Sequence, residues 1–197
     1  YGYTQMWIST FHSFCDRILR QEALQIGLSP KYTLLSEATA TQLLRDNLFK
    51  LKLDYFRPLG NPNKFIEGML QHFSRLQDED ISPEEYLGWV NKNKDKLEKE
   101  DYKKYKELAE AYEAYDQIKI ENGFMDFGDL IVKTLQLFKK RKNVLKEYQK
   151  KFKYILIDEF QDTNYAQNEL AILLAGDDKN ITVCGDDDQS IYRFRGA

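Results

Sequence analysis

Two carboxylates, Asp158 and Glu159, directly follow a short aliphatic run at residues 154–157. An aliphatic run without polar alternation predicts a strand that is buried in a parallel sheet. Open α/β sheets build their ligand sites at the carboxyl ends of such strands, so both carboxylates are candidates for chemistry. In a nucleotide triphosphatase the first would hold Mg²⁺ through oxygen, and the second would polarise the attacking water. Taken alone the pattern is weak, because a solvated strand end has the same composition.

A second polar segment begins at Gly185, directly after another aliphatic run at residues 181–184. Gly185 permits a tight turn, and Gln189 offers an uncharged donor and acceptor to a phosphate or to water. Because a helix is predicted between the two runs, the order strand–helix–strand predicts a βαβ unit with parallel strands. We therefore expect both polar segments at the same edge of one sheet.

Aromatic and basic residues alternate near the end of the chain, where Tyr192 and Phe194 stand beside Arg193 and Arg195. Aromatic rings interleaved with guanidinium groups suit stacking on unpaired bases and contact with phosphates. The same two rings, considered without their surroundings, fit an ordinary hydrophobic core. The segment is a candidate single-strand track only in combination with the carboxylates and the glutamine before it.

The two polar segments together resemble a named family. Asp-Glu-Phe-Gln-Asp-Thr-Asn at 158–164 and Gly-Asp-Asp-Asp-Gln-Ser-Ile-Tyr at 185–192 resemble motifs II and III of the UvrD/Rep/PcrA-type superfamily 1 DNA helicases. Thr-Phe-His-Ser-Phe at 10–14 is similar to motif Ib, and Asp-Phe-Gly-Asp-Leu at 126–130 to the stretch before motif II. Their order and approximate spacing also match, so the resemblance covers essentially the whole chain.

The resemblance implies roles on the nucleotide side of such a motor. Asp158 matches the acid that binds Mg²⁺, and Glu159 matches the residue that activates the hydrolytic water. Gln189 matches the glutamine that senses the γ-phosphate of ATP and couples it to the grip on DNA. The implied cofactors are therefore ATP and Mg²⁺.

The resemblance also implies DNA contacts. Tyr192 and Phe194 match aromatic positions at the single-strand track, and Arg195 stands beside them as a phosphate contact. Members of the family often carry Trp in place of Phe194, and Phe keeps the π face but lacks the indole donor. Thr10 and His12 match positions that contact the DNA backbone, although a histidine on a helix also fits a role in the core.

One part of an ATP site does not occur in this sequence. None of its glycines is followed by lysine, so the phosphate-loop pattern G-x-x-x-x-G-K-[ST] is absent from it. In the resembled family that loop lies upstream of the Thr10 motif, and the arginines of the second motor domain lie downstream of Ala197. We therefore expect half of an ATP site in a piece of a longer helicase, whose other segments would be its partners. The isolated chain is expected to be inactive.

The expected fold class is α/β, with a partial RecA-like parallel sheet of the P-loop NTPase type and an inserted all-helical subdomain. A β-prone run at residues 6–9 precedes the helical middle of the chain, which favours an insertion over two successive domains. In the terms of the resembled family, residues 1–32 and 123–197 would form domain 1A. Residues 33–122 would form the helical domain 1B.

Polar caps mark where several helices begin. Thr10 and Ser36 are predicted to cap helices that start one residue later. Ser82, followed by Pro83 and by Glu85 at the third position, predicts a capping box. These signals are local, so the starts of these helices are the best-defined boundaries in the sequence.

Two surface features have an ordinary interpretation and a functional one. Tyrosines recur along a long helix predicted to end at Asn122 and Gly123, a pattern that favours a packing face over a base-stacking platform. Residues 139–153 carry eight Lys or Arg and one acid, Glu147. This run is typical of a pair of solvated helices, and a phosphate-facing stripe stays open as the alternative.

Composition excludes several classes of protein. The chain of 197 residues is 42% hydrophobic and 14% aromatic, which is enough for a real core and excludes general disorder. A net charge of −3 excludes a uniformly basic nucleic-acid coat. Two cysteines in unrelated contexts indicate a reduced intracellular protein. No run approaches the roughly 20 apolar residues of a membrane span, so we expect a cytoplasmic location and no membrane partner.

The resemblance implies a fragment of an ATP-dependent DNA helicase that couples ATP hydrolysis to 3′-to-5′ translocation on single-stranded DNA and to duplex unwinding. DNA repair or replication is the expected setting, and single strands and duplex junctions are the expected partners. One alternative is the helicase subunit of a RecB- or AddA-like nuclease complex, since those proteins share Ser-Ile-Tyr-Arg-Phe-Arg, found here at 190–195. The other is a non-catalytic DNA- or protein-binding module, which the absent phosphate loop favours for the isolated chain.

Overall fold

Both ends of the chain contribute to one unit of the structure, and the middle forms another. The computed structural model describes residues 6–56, 62–186 and 188. The first unit lies within Tyr1–Tyr32 and Phe127–Ala197, and the second lies within Thr33–Asp126. The second unit begins at residue 33, as the predicted helical segment does. It ends at residue 126, whereas the predicted segment ends at residue 122.

Helices dominate the described part of the chain. They are α1 (Phe11–Glu22), α2 (Glu37–Asp46), α3 (Pro62–Asp78), α4 (Pro83–Lys92), α5 (Lys99–Glu121), α6 (Phe127–Lys140), α7 (Lys142–Lys151) and α8 (Tyr165–Ala175). The strands are β1 (Thr33–Leu34), β2 (Phe124–Met125), β3 (Ile155–Ile157) and β4 (Ile181–Val183). No helix among the described residues combines the length and the apolar character that crossing a membrane requires.

Helix α1 begins where the sequence predicts. The Thr10 hydroxyl accepts a hydrogen bond from the Ser13 N–H at 3.3 Å, which satisfies one of the free donors at the start of the helix. Cys15, Ile18 and Leu19 are completely buried, and α1 packs against α6. Burial raises the pKa of the Cys15 thiol to about 12, so this cysteine acts as a small core residue.

The predicted βαβ unit is confirmed in the first unit. Strands β3 and β4 are parallel, with Ile155 opposite Ile181 and Ile157 opposite Val183, and α8 connects them. The start of α8 is fixed by Asn164, whose side-chain oxygen accepts from the Gln167 N–H at 2.9 Å. The order β3, α8, β4 is thus the strand–helix–strand order that the sequence predicted.

The prediction that the first strand is buried on both faces is wrong. Ile157 is 7% exposed, whereas Leu156 is 78% exposed and Val183 is 48% exposed. Successive side chains of a strand point to opposite faces of the sheet. Val183 lies opposite Ile157 and therefore on the same face, which is only partly covered. Within the described residues the other face, which carries Leu156, is open to solvent.

The predicted strand at residues 6–9 does not form. The described residues there have no regular secondary structure, and the Trp7 side chain anchors the segment. The Trp7 ring lies edge-on to Phe14 and Phe152, with centroid distances of 5.7 and 4.9 Å. The Arg17 guanidinium lies 3.7 Å and the Lys151 ammonium 4.3 Å from the ring centroid. One side chain and two cations therefore hold the segment, without a backbone ladder.

In the second unit, α3, α4 and α5 surround a core that contains the predicted tyrosine stripe. Phe73 of α3 stacks on Tyr112 and Tyr115 of α5, with centroid distances of 4.9 and 5.8 Å. These three residues are almost fully buried, so this part of the stripe is a packing face. The predicted capping box is confirmed, since Ser82 and Glu85 each accept from the backbone N–H of the other.

The prediction that residues 33–122 are entirely helical is wrong at the first two of them. Thr33 and Leu34 form β1, which pairs in parallel with β2 just after that segment, so that Thr33 lies opposite Phe124. The N–H of Thr33 donates to the Gly123 carbonyl at 2.9 Å, and Gly123 makes the turn after α5 with φ of +66°. Two-residue strands leave no periodicity in the sequence, so only the folded chain reveals them.

A buried ion pair fixes the segment by which the chain leaves the second unit. The ammonium of Lys119, which is 1% exposed, donates to the Asp126 carboxylate at 2.7 Å. The same carboxylate accepts from the Tyr115 hydroxyl and from the Gln77 amide, each at 3.1 Å. The buried ammonium of Lys119 is thus paired with a carboxylate that has further hydrogen bonds of its own. Asp126 thereby connects α3 and α5 to the segment that leaves the unit.

Candidate active site

Two backbone hydrogen bonds extend the pairing of β3 and β4 past the ends of the strands. The N–H of Cys184 donates to the Ile157 carbonyl at 2.8 Å, and the N–H of Phe160 donates to the Cys184 carbonyl at 2.9 Å. Asp158 and Glu159 therefore lie beside the segment that begins at Cys184. The expectation that the two polar segments meet at one sheet edge is confirmed for the described residues.

A strained turn delivers the two carboxylates to this edge. Glu159 has φ of 52° and ψ of 45°, a left-handed conformation that costs a residue other than glycine about 1–3 kcal/mol. Its N–H donates to Asp158 Oδ1 at 3.1 Å. Both side chains are exposed, so their oxygens are accessible to a cation or to water. The left-handed turn thus presents two successive carboxylates on the same edge.

The half-buried Gln161 connects this turn to the segment after β4. Its Nε2 donates to Glu159 Oε2 at 2.6 Å, and its Oε1 accepts from the Asp186 N–H at 3.0 Å. Gly185 passes so close that an added Cβ would lie 2.5 Å from Gln161 Oε1. A carboxylate, an amide and a backbone N–H therefore form one continuous hydrogen-bonded path between the two strand ends.

The donor set fits a Mg²⁺ ion that binds together with a nucleotide. Such an ion takes one or two carboxylates, and phosphates and water complete its octahedron. Asp158 and Glu159 supply that number of accessible carboxylates. Across residues 6–56, 62–186 and 188, no group of three or more His, Cys, Asp or Glu is arranged to hold a metal ion.

Comparison with known proteins identifies the family. A family model described as the UvrD/REP helicase N-terminal domain matches residues 2–197. The chain belongs to this family. The resemblance noted at the motifs of residues 10–14, 126–130, 158–164 and 185–192 is thereby confirmed.

Curated relatives of this UvrD/REP family chain carry a common name. The ATP-dependent DNA helicase PcrA of Bacillus subtilis is 37% identical over 197 residues, which are 100% of this chain and 24% of that protein. Proteins of the same name from Staphylococcus epidermidis and Staphylococcus aureus are 38% identical over 192 residues, 98% of this chain and 24% of each protein. The chain spans about a quarter of the length of these relatives.

Two of the predicted DNA-side residues, Thr10 and His12, lie at the start of α1. Thr10 is exposed, and its hydroxyl both caps the helix and donates to Ser13 Oγ at 3.1 Å. The His12 ring lies edge-on to Phe127, at 5.7 Å between centroids, and Phe127 is 50% exposed. Burial lowers the pKa of His12, so its imidazole is uncharged near neutral pH. His12 and Phe127 thus form a partly exposed aromatic pair next to an exposed hydroxyl.

Four predicted site residues lie outside the described residues. They are Gln189, Tyr192, Phe194 and Arg195. Their roles at the γ-phosphate and on the single-strand track stay predictions from the resemblance.

The basic run at residues 139–153 forms an amphipathic helix pair in this structure, and its alternative role as a phosphate-facing stripe stays a prediction. It covers the end of α6 and all of α7, and Lys139, Lys140 and Lys142 are exposed. Val144, Leu145 and Tyr148 of the same run are buried, so the helices are amphipathic. The lysines lie on the solvated side of a helix pair.

Two residues with clear structural relations to the site were missed in the sequence. Gln161 stands inside the quoted motif, but its type alone does not reveal that both ends of its amide are bonded. The signal that could have found it is Gly185, because glycine after a strand marks a close approach of another chain segment. Phe127 was missed because an aromatic residue at the start of a helix is usually a core residue.

Proposed function

We propose that this chain is part of the first motor domain of an ATP-dependent DNA helicase. The observation that carries the proposal is the joint placement of Asp158, Glu159 and Gln161 at the carboxyl edge of β3–β4, in a chain of the UvrD/REP N-terminal family. In parallel α/β sheets this edge is where nucleotides bind. The parent protein would couple ATP hydrolysis to 3′-to-5′ translocation on single-stranded DNA and to duplex unwinding, in DNA repair or replication in the cytoplasm.

Each carboxylate has a separate role in this proposal. Asp158 would hold Mg²⁺, which when bound neutralises negative charge on the phosphates. Glu159 would accept a proton from the attacking water or orient that water toward the γ-phosphate. Gln189 would contact the γ-phosphate and pass the state of the nucleotide to the DNA side.

The remaining half of the ATP site would come from other segments of the parent protein. This sequence contains no phosphate loop with its lysine, and backbone N–H groups with such a lysine are what cradle the β- and γ-phosphates. The exposed Leu156 supports the same idea, because the face of β3–β4 that carries it needs a cover in a stable RecA-like domain. We therefore propose that the first unit, within residues 1–32 and 127–197, belongs to domain 1A, which the rest of the parent completes.

We propose the second unit, within residues 33–126, as the inserted helical domain 1B. The β1–β2 pair supports this assignment, since it holds the entry and the exit of the segment side by side as an insertion requires. On the first unit, Thr10 and His12 would contact the DNA backbone, and Tyr192, Phe194 and Arg195 would hold unpaired bases and phosphates. The half-exposed Phe127 beside His12 supports a base-facing surface there.

The test uses the full-length protein that contains this chain. We expect its ATP hydrolysis to rise when single-stranded DNA is added, and we expect it to unwind a duplex with a 3′ tail in preference to one with a 5′ tail. The isolated chain serves as the second arm and should hydrolyse no ATP with or without DNA. A full-length protein without DNA-stimulated hydrolysis would contradict the helicase proposal, and turnover by the isolated chain would contradict the half-site.

The nuclease-complex alternative rests on the sequence Ser-Ile-Tyr-Arg-Phe-Arg at 190–195. The same reactions separate the two functions when the DNA products are sized. A helicase alone leaves both strands at full length, whereas a helicase subunit of a nuclease complex shortens them when its partners are present.

A further inference from the structure

The side chain of Gln161 is held at both ends, and its orientation follows from its partners. The Glu159 carboxylate can only accept, so the end of the amide that faces it at 2.6 Å is the NH₂ group. The Asp186 N–H can only donate, so the end that faces it at 3.0 Å is the carbonyl oxygen. A glutamine is the neutral side chain that can satisfy an acceptor on one side and a donor on the other at this length.

Gly185 makes this arrangement possible. An added Cβ would lie 2.5 Å from Gln161 Oε1 and 3.4 Å from the backbone nitrogens of Gln161 and Phe160. A contact of 2.5 Å forces a displacement, and the atom that would move first is the amide oxygen that accepts from Asp186. The Gln161 side chain can therefore occupy this position because residue 185 is a glycine.

Backbone hydrogen bonds hold the residues on both sides of Gln161 in place. The N–H of Asp162 donates to the Glu159 carbonyl at 2.9 Å, which closes a tight 3-10 turn around Gln161. The backbone N–H of Phe160 is bonded to Cys184 on the opposite strand end, at 2.9 Å. Because both flanks are fixed, movement of the segment around Asp186 would reach Glu159 mainly through the amide of Gln161.

We propose that Gln161 is a positioning residue that sets the carboxylate of Glu159 and couples it to the backbone that follows β4. This inference rests on the proposed function, in which Glu159 acts on the attacking water. One carboxylate oxygen is held by Gln161, and among the described residues the other is open to water. A shift of the backbone around Asp186 would thereby change the position of the hydrolytic carboxylate.

The experiment compares two substitutions of Gln161 in the full-length protein. Gln161→Glu keeps an oxygen that can accept from the Asp186 N–H, but it loses the donor to Glu159 and adds a like charge. Gln161→Leu loses both hydrogen bonds. We expect both variants to lower the kcat for ATP about tenfold or more, with the KM for ATP changed by less than about threefold.

Gln149→Leu is the matched control. Gln149 also bridges to the backbone, since its Nε2 donates to the Leu173 carbonyl at 2.9 Å, and it also lies against a glycine, Gly176. Its side-chain hydrogen bond goes to α8 rather than to the ends of β3 and β4. We expect this variant to lower the melting temperature and to keep kcat.

Hydrogen exchange gives a readout that does not depend on ATP turnover. The Asp186 amide should exchange faster in Gln161→Leu and should stay protected in Gln161→Glu, because only the first removes its acceptor. Single-turnover hydrolysis adds a test of the route: in a Glu159→Gln background, Gln161→Leu should cause little additional loss.

The results separate this inference from the proposed function. If the unmodified protein hydrolyses ATP and both Gln161 variants keep its kcat, the inference is wrong and the helicase proposal stands. Unchanged exchange of the Asp186 amide in Gln161→Leu would overturn the inference whether or not ATP is hydrolysed. Full additivity with Glu159→Gln would also overturn it, since Gln161 would then act independently of Glu159.

Discussion

At the scale of single residues, neighbouring carboxylates of the candidate active site should fail in different ways when replaced. Glu159→Gln keeps the size of the side chain and an oxygen that can accept from Gln161, so nucleotide binding should persist. Turnover should fall by about 10²–10⁴-fold, because an amide cannot accept a proton from water. Asp158→Ala removes a Mg²⁺ ligand and should weaken Mg²⁺-dependent nucleotide binding as well. Equilibrium binding and hydrolysis in the full-length protein check this, and small, equal losses in both variants would contradict the assignment.

Two half-buried histidines lead to a second prediction at this scale, which concerns the dependence of stability on pH. Burial lowers the pKa of His12 and of His72, and the charge of Arg75 adds to the effect on His72. The unfolded chain therefore binds more protons than the folded chain below about pH 6.5, the ordinary pKa of histidine. Their contribution to stability is complete above that pH, and it is lost as the pH falls from there through the lowered pKa values of the folded chain.

The corresponding variants are His12→Gln and His72→Gln, alone and combined. We expect the free energy of unfolding of the doubly substituted chain to change less between about pH 7 and pH 5.5 than that of the unmodified chain. Chemical denaturation at a series of pH values measures this difference. Carboxylates contribute the same background in all variants, and equal pH slopes in all of them would show that the histidines are not responsible.

At the scale of elements, glycines in a turn and in a helix should respond to alanine with opposite signs. Gly123 follows α5 with φ of +66°, and an added Cβ would meet no atom within 4 Å, so only backbone strain acts there. Gly123→Ala should destabilise the second unit by about 1–2 kcal/mol. Gly68 is exposed within α3, and a Cβ added there would also meet no atom within 4 Å. Gly68→Ala should stabilise by about 0.5–1 kcal/mol.

Thermal or urea unfolding of the two variants and of the unmodified chain tests this pair. Since neither glycine has a steric neighbour, the difference in sign isolates the backbone conformation. Destabilisation of similar size by both substitutions would mean that the turn at Gly123 is not strained in solution. Gly88 of α4, also exposed and without neighbours, offers a second helical control.

At the scale of the whole molecule, the uncovered face of β3–β4 should behave differently in the isolated chain and in the parent. Leu156 is 78% exposed, so Leu156→Lys should change the stability of the isolated chain by less than about 0.5 kcal/mol. In the full-length protein the same charge would be buried under the rest of the proposed domain 1A. There it should destabilise by about 2 kcal/mol or more.

Ile157→Ala is the control for this comparison, since Ile157 is buried in the described structure and should cost about 2–5 kcal/mol in both proteins. Unfolding is measured by denaturant titration of the isolated chain and of the full-length protein. Equal tolerance of Leu156→Lys in both would show that this face stays open in the parent, and the proposed completion of the sheet would then be wrong.

The sequence by itself determined the features that depend on a few neighbouring residues. Thr10 and Ser82 mark helix starts because a cap side chain bonds an N–H three residues away. The aliphatic runs around 155–157 and 181–183 predicted parallel strands, because a βαβ crossover follows from the order of elements. The family, too, was recognisable from short motifs alone.

Only the tertiary structure decided the features that join distant residues or depend on what covers a surface. Gln161 and Asp186 are 25 positions apart, and nothing in the type of either predicts their hydrogen bond. Local patterns also could not predict the β1–β2 pair, because two-residue strands carry no periodicity. They could not predict the exposure of Leu156 either, because a leucine in the sequence does not show whether another segment covers it. The physical reason is that local rules describe one segment, whereas pairing and burial are properties of the segments that meet it in space.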